Sequence, residues 1–355
     1  MNIFQTFLLP IALVYGLIMM VRNVLFRLNI LPSETFSIPI VGIGNLTMGG
    51  SGKTPMTEYI IRLLQDNYHI ATLSRGYKRE GKGFLIVSRR TNIKYSGDEP
   101  LQIAKKFDQV KVALDENRRR GIKRLLQKYP SLDIILLDDA FQHRYVRPGL
   151  TILLTSCNNL FTEDYVFPSG TLREFICGYK RADIIIVTKT PKIFSPISRR
   201  RILDEICPSP HQKIYFSYIR YGEPLPVYET DLTGQFPEKL TSLMVLTGIA
   251  DDSSLIDHIS RICSEVIPIR FPDHHTFTIR DIELITSRFA GLLTKKKAIV
   301  TTEKDMLRLR IPELSVLVKS LPIFYIPIYF EFHGTDGISF RNQIISYVTQ
   351  GKGNT

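Results

Sequence analysis

Cysteine is scarce in this chain and never clustered: Cys157, Cys177, Cys207 and Cys263 stand singly among 355 residues, with no C-x-x-C pair and no metal-ligand spacing. That pattern excludes a disulfide framework and a cysteine-built zinc site, and it predicts reduced core thiols in a cytosolic compartment. Acidic side chains are also in short supply, 34 against 46 lysines and arginines, which leaves a formal charge of +12. Such a surplus favours an acidic partner, whether nucleic acid, an anionic membrane surface or a phosphorylated substrate. Nucleic acid is disfavoured, because no recognised binding motif is present and the basic residues are not interleaved with stacking aromatics. No internal repeat or low-complexity tract is visible. Charge of either sign is missing from the first 21 residues, MNIFQTFLLPIALVYGLIMMV, after which come Arg22 and Arg27. A cleaved signal peptide fits poorly, since no basic residue precedes the apolar run and no small-residue cleavage site comes after it. Membrane contact and an ordinary buried first helix are two readings of this stretch. Pro10, Gly16, Gln5 and Thr6 favour a segment lying in the interface at least as much as one that spans. In either membrane topology the two arginines keep the rest of the chain on the cytoplasmic side.

What is present is a chain 44% hydrophobic, long enough for a sizeable core and for two lobes. After Pro32, short all-apolar strands alternate with amphipathic helices. Strands are predicted over 38–43, 70–73, 110–114, 134–137, 151–154 and 184–187, and helices over 56–67, 100–107 and 118–128. This rhythm predicts an α/β fold, a mostly parallel sheet covered by helices on both faces. Around 215–231 the texture turns extended and turn-rich. A strand-to-helix rhythm then restarts, with KAIVTTEKD and the aromatic strand IFYIPIYF. The division expected is an N-terminal membrane-associating helix at 1–32, a phosphate-loop domain at 33–219 and a smaller C-terminal α/β lobe at 220–355. The last residues, GKGNT, read as a frayed tail. The basic runs 118–120, 199–201 and 295–297 read as solvated surface, with membrane contact as the other possibility.

The stretch IPIVGIGNLTMGGSGKTPMTEYIIRLL places a strand, a glycine cluster, Gly52-Lys53-Thr54 and a helical pattern in succession. A strand–loop–helix phosphate loop needs this order. Backbone N–H groups and a helix N-terminus cradle phosphate oxygens, a lysine neutralises charge, and a Ser/Thr hydroxyl binds magnesium. Thr47, Gly49, Gly50, Ser51, Gly52, Lys53 and Thr54 are the candidate nucleotide-binding residues. Thr47 stands where the G-x-x-x-x-G-K-[ST] pattern has its first glycine. In LDIILLDDAFQH, Asp138 and Asp139 come directly after a hydrophobic strand, where parallel sheets bind ligands and where a second magnesium anchor belongs. Helix capping by either aspartate is the alternative. Thr54, Asp138 and Asp139 are the candidate Mg2+ ligands. VTKTP at 187–191 lacks both the Asn and the Asp of the guanine-reading N-K-x-D signature, so ATP is the expected nucleotide.

Seven blocks, GNLTMGGSGKTP, LSRGYKR, SGDEP, LDDAFQHR, FPSGTLRE, FPDHHTF and TTEKD, together resemble the tetraacyldisaccharide 4'-kinase (lipid A 4'-kinase) family of Gram-negative bacteria, in family order over nearly the whole chain. The family resembles this chain at Thr47 too. The resemblance implies ATP-dependent phosphorylation of the 4'-hydroxyl of tetraacyldisaccharide 1-phosphate to lipid IVA, with ATP and Mg2+ as cofactors. It further implies a lipid disaccharide substrate, an anionic inner-membrane surface as partner, no obligate protein partner, and a place on the cytoplasmic face of the inner membrane. By the same resemblance Asp98 is the base that takes the hydroxyl proton, and His274 its partner, with His275 the alternative. Arg173 resembles a family arginine near the reacting phosphates. On the residues alone, Asp98 reads first as an N-cap for the helix near Pro100, His274 and His275 as hydrogen-bonded loop histidines, and Arg173 as a partner of Glu174 or solvent. Arg75, Tyr77, Gln142 and His143 are expected to line the cleft. The competing reading is a membrane-associated P-loop ATPase without a small-molecule acceptor.

Overall fold

The central strands are mostly apolar, yet their successive apolar residues serve different cores. Val41 and Ile43 face one hydrophobic cluster while Ile40 faces another. Ile134 and Leu136 alternate in the same way with Ile135 and Leu137, and Ile184 and Ile186 with Ile185 and Val187. Period-two burial on both faces is what a covered parallel sheet requires. The computed structural model describes residues 3–230, 234, 236–237 and 240–352. Asp231, at the end of the extended connection, and Gly353 to Thr355 of the expected tail lie outside them.

The chain divides into two compact units, one comprising residues up to Ile219 together with Phe330 onward, the other Arg220–Tyr329. The first begins with α1 (Ile3–Arg27), β1 (Ile40–Asn45), α2 (Lys53–Leu64), β2 (Ile70–Ser74) and β3 (Leu85–Val87). It continues through α3 (Ile93–Ser96), α4 (Asp98–Lys106), β4 (Lys111–Leu114), α5 (Arg118–Lys128), β5 (Ile134–Leu137), β6 (Leu150–Ser156), β7 (Ile184–Thr188), α6 (Pro196–Ile206) and β8 (Lys213–Tyr221). The second holds β9 (Leu225–Pro226), β10 (Leu240–Thr247), α7 (Ser253–Ile259), β11 (Cys263–Arg270), α8 (Ile279–Ala290), β12 (Lys297–Thr302), α9 (Glu303–Leu309), α10 (Ser315–Lys319) and β13 (Ile323–Ile326). β14 (Ile328–Phe332) and α11 (Asp336–Lys352) close the chain. Strand order in the larger sheet is β14-β8-β7-β6-β1-β5-β2-β4-β3, and in the smaller β11-β10-β12-β13-β9. Of the pairings described from β8 to β3, only β3 with β4 is antiparallel. Helices α2, α4 and α11 pack on one face of the large sheet, through Ile60, Leu101 and Phe340 among others, and α5 and α6 on the other through Ile122 and Ile202.

Several expectations shift. β1 starts at Ile40 instead of 38, because its ladder partners begin there, Ile40 opposite Ile135 and Val41 opposite Leu150. The aromatic stretch IFYIPIYF forms two strands divided at Pro327, whose missing N–H cannot serve a ladder. β13 joins the small sheet and β14 the large one. Phe330 onward therefore belongs with the first unit, where Phe340, Ile344 and Val348 of α11 are buried, although the sequence pattern carries the second lobe to residue 355.

None of the four thiols is a core residue: Cys157 and Cys263 are half-buried, and Cys177 and Cys207 exposed. Cys157 lies in the turn after β6 and Cys207 at the end of α6, off the sheet faces that make the core, while Cys263 is the first residue of β11. Nor is α1 a buried helix, since Phe7, Ile11, Leu13, Val14, Leu17, Ile18 and Val21 are all exposed. One side of it is fastened to the first unit. Ser169 Oγ donates to Gln5 O (2.8 Å), Tyr15 Oη to Arg173 O (3.1 Å), Arg22 Nη2 to Gln142 O (3.2 Å) and Asn23 Nδ2 to Glu174 Oε2 (2.6 Å).

The basic runs are likewise only partly surface. Arg118 is 3% exposed, Arg199 forms a two-pronged pair with Asp336, and Lys297 Nζ caps the end of α8 by donating to Phe289 O and Leu292 O. In each case a main-chain or carboxylate acceptor stands within reach of a side chain that the sequence pattern places outside.

Candidate active site

β1 ends at Asn45, and the chain then folds over itself to reach α2. Gly49 and Gly52 take the left-handed conformation, with φ of 116° and 89°, which L side chains rarely adopt. No atom lies within 4 Å of where a Cβ on Gly49 would stand, so the backbone is open to an approaching group. Thr47, by contrast, is strand-like: it bridges Leu172, while Met48 N donates to Thr171 O (2.7 Å) and Arg173 N to Leu46 O (2.8 Å). The FPSGTLRE segment is thereby laid against the loop, which explains an extended β-branched residue where the usual pattern has glycine. Thr188 Oγ1 at the end of β7 donates to Ser51 O (2.9 Å) and anchors the far side of the loop. The next residue, Lys189, brings its Nζ to 3.9 Å from where a Cβ on Gly50 would stand.

Inside this frame Lys53 Nζ donates to Asn45 Oδ1 (3.1 Å) and lies 3.4 Å from Asp139 Oδ1. Arg173 Nη1 donates to both oxygens of Asp139, at 2.8 and 3.0 Å. Two cations and one carboxylate thus meet at the end of β5. Burial pushes the Asp139 carboxyl up, but Lys53 and Arg173 more than offset it and hold it below the usual range. Asp138 has the opposite fate: burial, opposed by Lys53 and reinforced by the charge of Asp139, raises it to about 6. Arg173 pairs with Asp139 and not with Glu174, which is taken by Arg181 (2.8 Å) and Asn23. Gln142 ties the site together, donating from Nε2 to Asn45 O (3.0 Å). Ser51 Oγ is buried with no hydrogen-bond partner among the described residues, an orphan donor inside the glycine loop.

Asp98 is the first residue of α4 and buried, and the cap position belongs to Gly97, so the capping role expected of Asp98 does not hold. Gly97 has a φ of 76°, and a Cβ there would come within 3.3 Å of Tyr77 O, so SGDEP and SRGYKR are in close contact. The charge of Glu99, at the start of α4, adds to burial and to the charge of Asp139 in raising Asp138. His143 is held down to about 4 by burial and by the charges of Arg118 and Arg75. Sequence reasoning missed two contributors. Asn45 carries only the signal of ending the strand before the loop. Arg118 reads as surface in its basic run, although its Nη2 donates to Asp138 O (3.3 Å) and its Nη1 to Asp115 O (2.7 Å).

His274 lies in the second unit, in the loop between β11 and α8, with a φ of 62°. His275 next to it is engaged by Asp281 (Nε2 to Oδ2, 3.0 Å) and stacked on Phe271. Asp281 also belongs to the capping box of α8.

The family model described as tetraacyldisaccharide-1-P 4'-kinase matches residues 4–348. A protein named tetraacyldisaccharide 4'-kinase from Bacteroides thetaiotaomicron is 43% identical, covering 98% of this chain and 94% of its own. One of the same name from Flavobacterium psychrophilum is 42% identical and is covered to 98% on both sides. Among solved structures, LpxK from Aquifex aeolicus in complex with ATP superposes with a TM-score of 0.71 at 25% identity, covering 98% of this chain and 99% of that one.

Proposed function

Because this chain belongs to the tetraacyldisaccharide-1-P 4'-kinase family, we propose that its phosphate loop holds ATP for transfer of the γ-phosphate to the 4'-hydroxyl of tetraacyldisaccharide 1-phosphate, giving lipid IVA. The observation that carries the reading is the convergence of Lys53, Asp139 and Arg173 beside a glycine loop that contains the orphan hydroxyl of Ser51. The 4'-oxygen bonds to the γ-phosphorus as the bond to the β,γ-bridging oxygen breaks, ADP leaves, and the hydroxyl proton passes to Asp98. Lys53 and Arg173 face the charge that spreads over the transferring group. The open loop backbone at Gly49 and Gly50, α2's N-terminal N–H groups and Ser51 orient the phosphates.

A magnesium ion fits the donor set. Thr54, Asp138 and Asp139 offer only hard oxygens, and Asp138, half-buried and raised to about 6 chiefly by desolvation with the charge of Asp139 added, gains from a nearby cation. These three residues would hold the ion, which would neutralise phosphate charge. The family resemblance is what supports His274 as the residue that acts with Asp98. His275 is the weaker alternative, since Asp281 already engages it.

Membrane attachment is assigned to α1, whose 25 residues expose an apolar side while Gln5, Tyr15, Arg22 and Asn23 bond to the first unit along most of its length. A helix so fastened lies along the protein and not through a bilayer, so the attachment is monotopic, at the cytoplasmic face of the inner membrane. Anionic headgroups there would meet the surplus of positive charge.

The deciding experiment tracks γ-labelled ATP with magnesium and tetraacyldisaccharide 1-phosphate in detergent micelles. Label is expected in the lipid and absent for Lys53→Ala. Free phosphate without labelled lipid would instead establish the acceptor-free ATPase. Asp98→Ala is expected to slow transfer by about 10²-fold or more while ATP binding is kept. Near-normal turnover would remove Asp98 from the role of base.

A further inference from the structure

The TTEKD block is not used in the phosphate-loop reading above, and its own surroundings say what it does. Thr302 caps α9, and Asp305, fully buried, accepts from Thr302 Oγ1 (2.7 Å), Gly248 N (3.0 Å) and Arg308 Nη1 (2.8 Å). Arg308 is 6% exposed, and its Nη1 also donates to Gly248 O (2.9 Å). Its other nitrogen, Nη2, lies 3.2 Å from His274 Nδ1. His274 N donates to Gly248 O as well (3.1 Å), so one glycine carbonyl receives both the histidine's backbone and the arginine that meets its ring.

A buried ion pair adds little net stability over apolar packing, because desolvation consumes most of the attraction. Its geometry therefore asks for another reason. A guanidinium has donors only, so the ring nitrogen facing it must be the acceptor. The neutral imidazole then carries its proton on Nε2, and its plane is set by the fork of Arg308.

We propose that Arg308, locked by Asp305, is a positioning residue for phosphoryl transfer: it selects the Nε2–H tautomer of His274 and fixes the orientation of that ring. The inference rests on the reading of His274 as the partner of Asp98, and it assigns to TTEKD the task of preparing that partner. The same contact accounts for the left-handed backbone at His274, since the turn delivers both its N–H and its Nδ1 to the Gly248–Arg308 pair. His275, by contrast, is oriented by Asp281 on the neighbouring helix.

The test is a double-mutant cycle on the full-length chain with nitrogen NMR of labelled histidine. His274→Ala and Arg308→Gln are each expected to lower kcat by at least about tenfold with the KM for ATP unchanged. In the His274→Ala background, Arg308→Gln is expected to cost less than about twofold more, because coupled residues are not additive. The His274 signal should report the Nε2–H tautomer in the wild type and a mixture in Arg308→Gln. Should Arg308→Gln fail to fold, Arg308→Lys, which keeps a cation beside Asp305 but lacks the fork, is read in the same way. Equal losses from the arginine change in both backgrounds, or an unaltered tautomer, would overturn the positioning role alone. Wild-type turnover in His274→Ala would instead remove His274 from catalysis, and the positioning role with it.

Discussion

Lys53 sits between Asn45 Oδ1 and Asp139 Oδ1, so the ammonium is steered by one neutral and one charged oxygen. This places the cation by geometry and not by chance rotamer. A few residues away His143 shows how crowded the cations are, because burial with Arg118 and Arg75 keeps it neutral down to about 4. The unfolded chain takes up that proton near the ordinary histidine value, before the folded one does. The stability His143 contributes is therefore complete above about pH 6.5 and is lost as pH falls towards 4. His143→Gln should flatten the dependence of thermal unfolding on pH across this window. An equal fall in both proteins would mean that other groups set it. In the sequence Arg118 and Arg119 look alike. Only the fold turns the first towards the main-chain oxygens of Asp115 and Asp138.

At the scale of elements, the site depends on how closely the end of β1 approaches the turn after β5. A Cβ on Gly44 would stand 2.7 Å from Phe141 Cβ and 2.8 Å from Phe141 N, which are rigid neighbours and not the tip of a side chain. Gly44→Ala should push the Gln142 turn away from Asn45, costing on the order of 1–3 kcal/mol and lowering kcat along with the unfolding midpoint. Unchanged melting and turnover would show that the two segments can part freely. The strands themselves were legible in the sequence, since each of the six expected apolar runs overlaps an observed strand. Their ends were less so: α2 begins at Lys53, three residues before the apolar periodicity, because the left-handed Gly52 starts the helix. The loop and the paired aspartates could be read for the same reason as the strands, since their chemistry is local. The pairing of Arg173 with Asp139 could not, being made by residues 34 positions apart.

For the molecule as a whole, a charge of +12 and one apolar helix predict two separable kinds of membrane attraction. Binding to anionic vesicles should weaken as salt rises and the screening length falls below about 10 Å. Leu17→Glu with Ile18→Glu should abolish what remains at high salt. Persistent high-salt binding in that double variant would assign the attachment to another surface. Local order alone specified the apolar strands, the phosphate loop, the acidic pair and the uncharged first 21 residues, because each is written in adjacent residues with a fixed period or spacing. Tertiary structure decided the rest. It brought α11 back onto the first sheet, split the aromatic strand at Pro327 between two sheets, made Arg118 a buried donor and gave His274 an arginine to face. These outcomes depend on which distant groups meet once the sheets close, and burial and hydrogen-bond geometry, not sequence period, set those meetings.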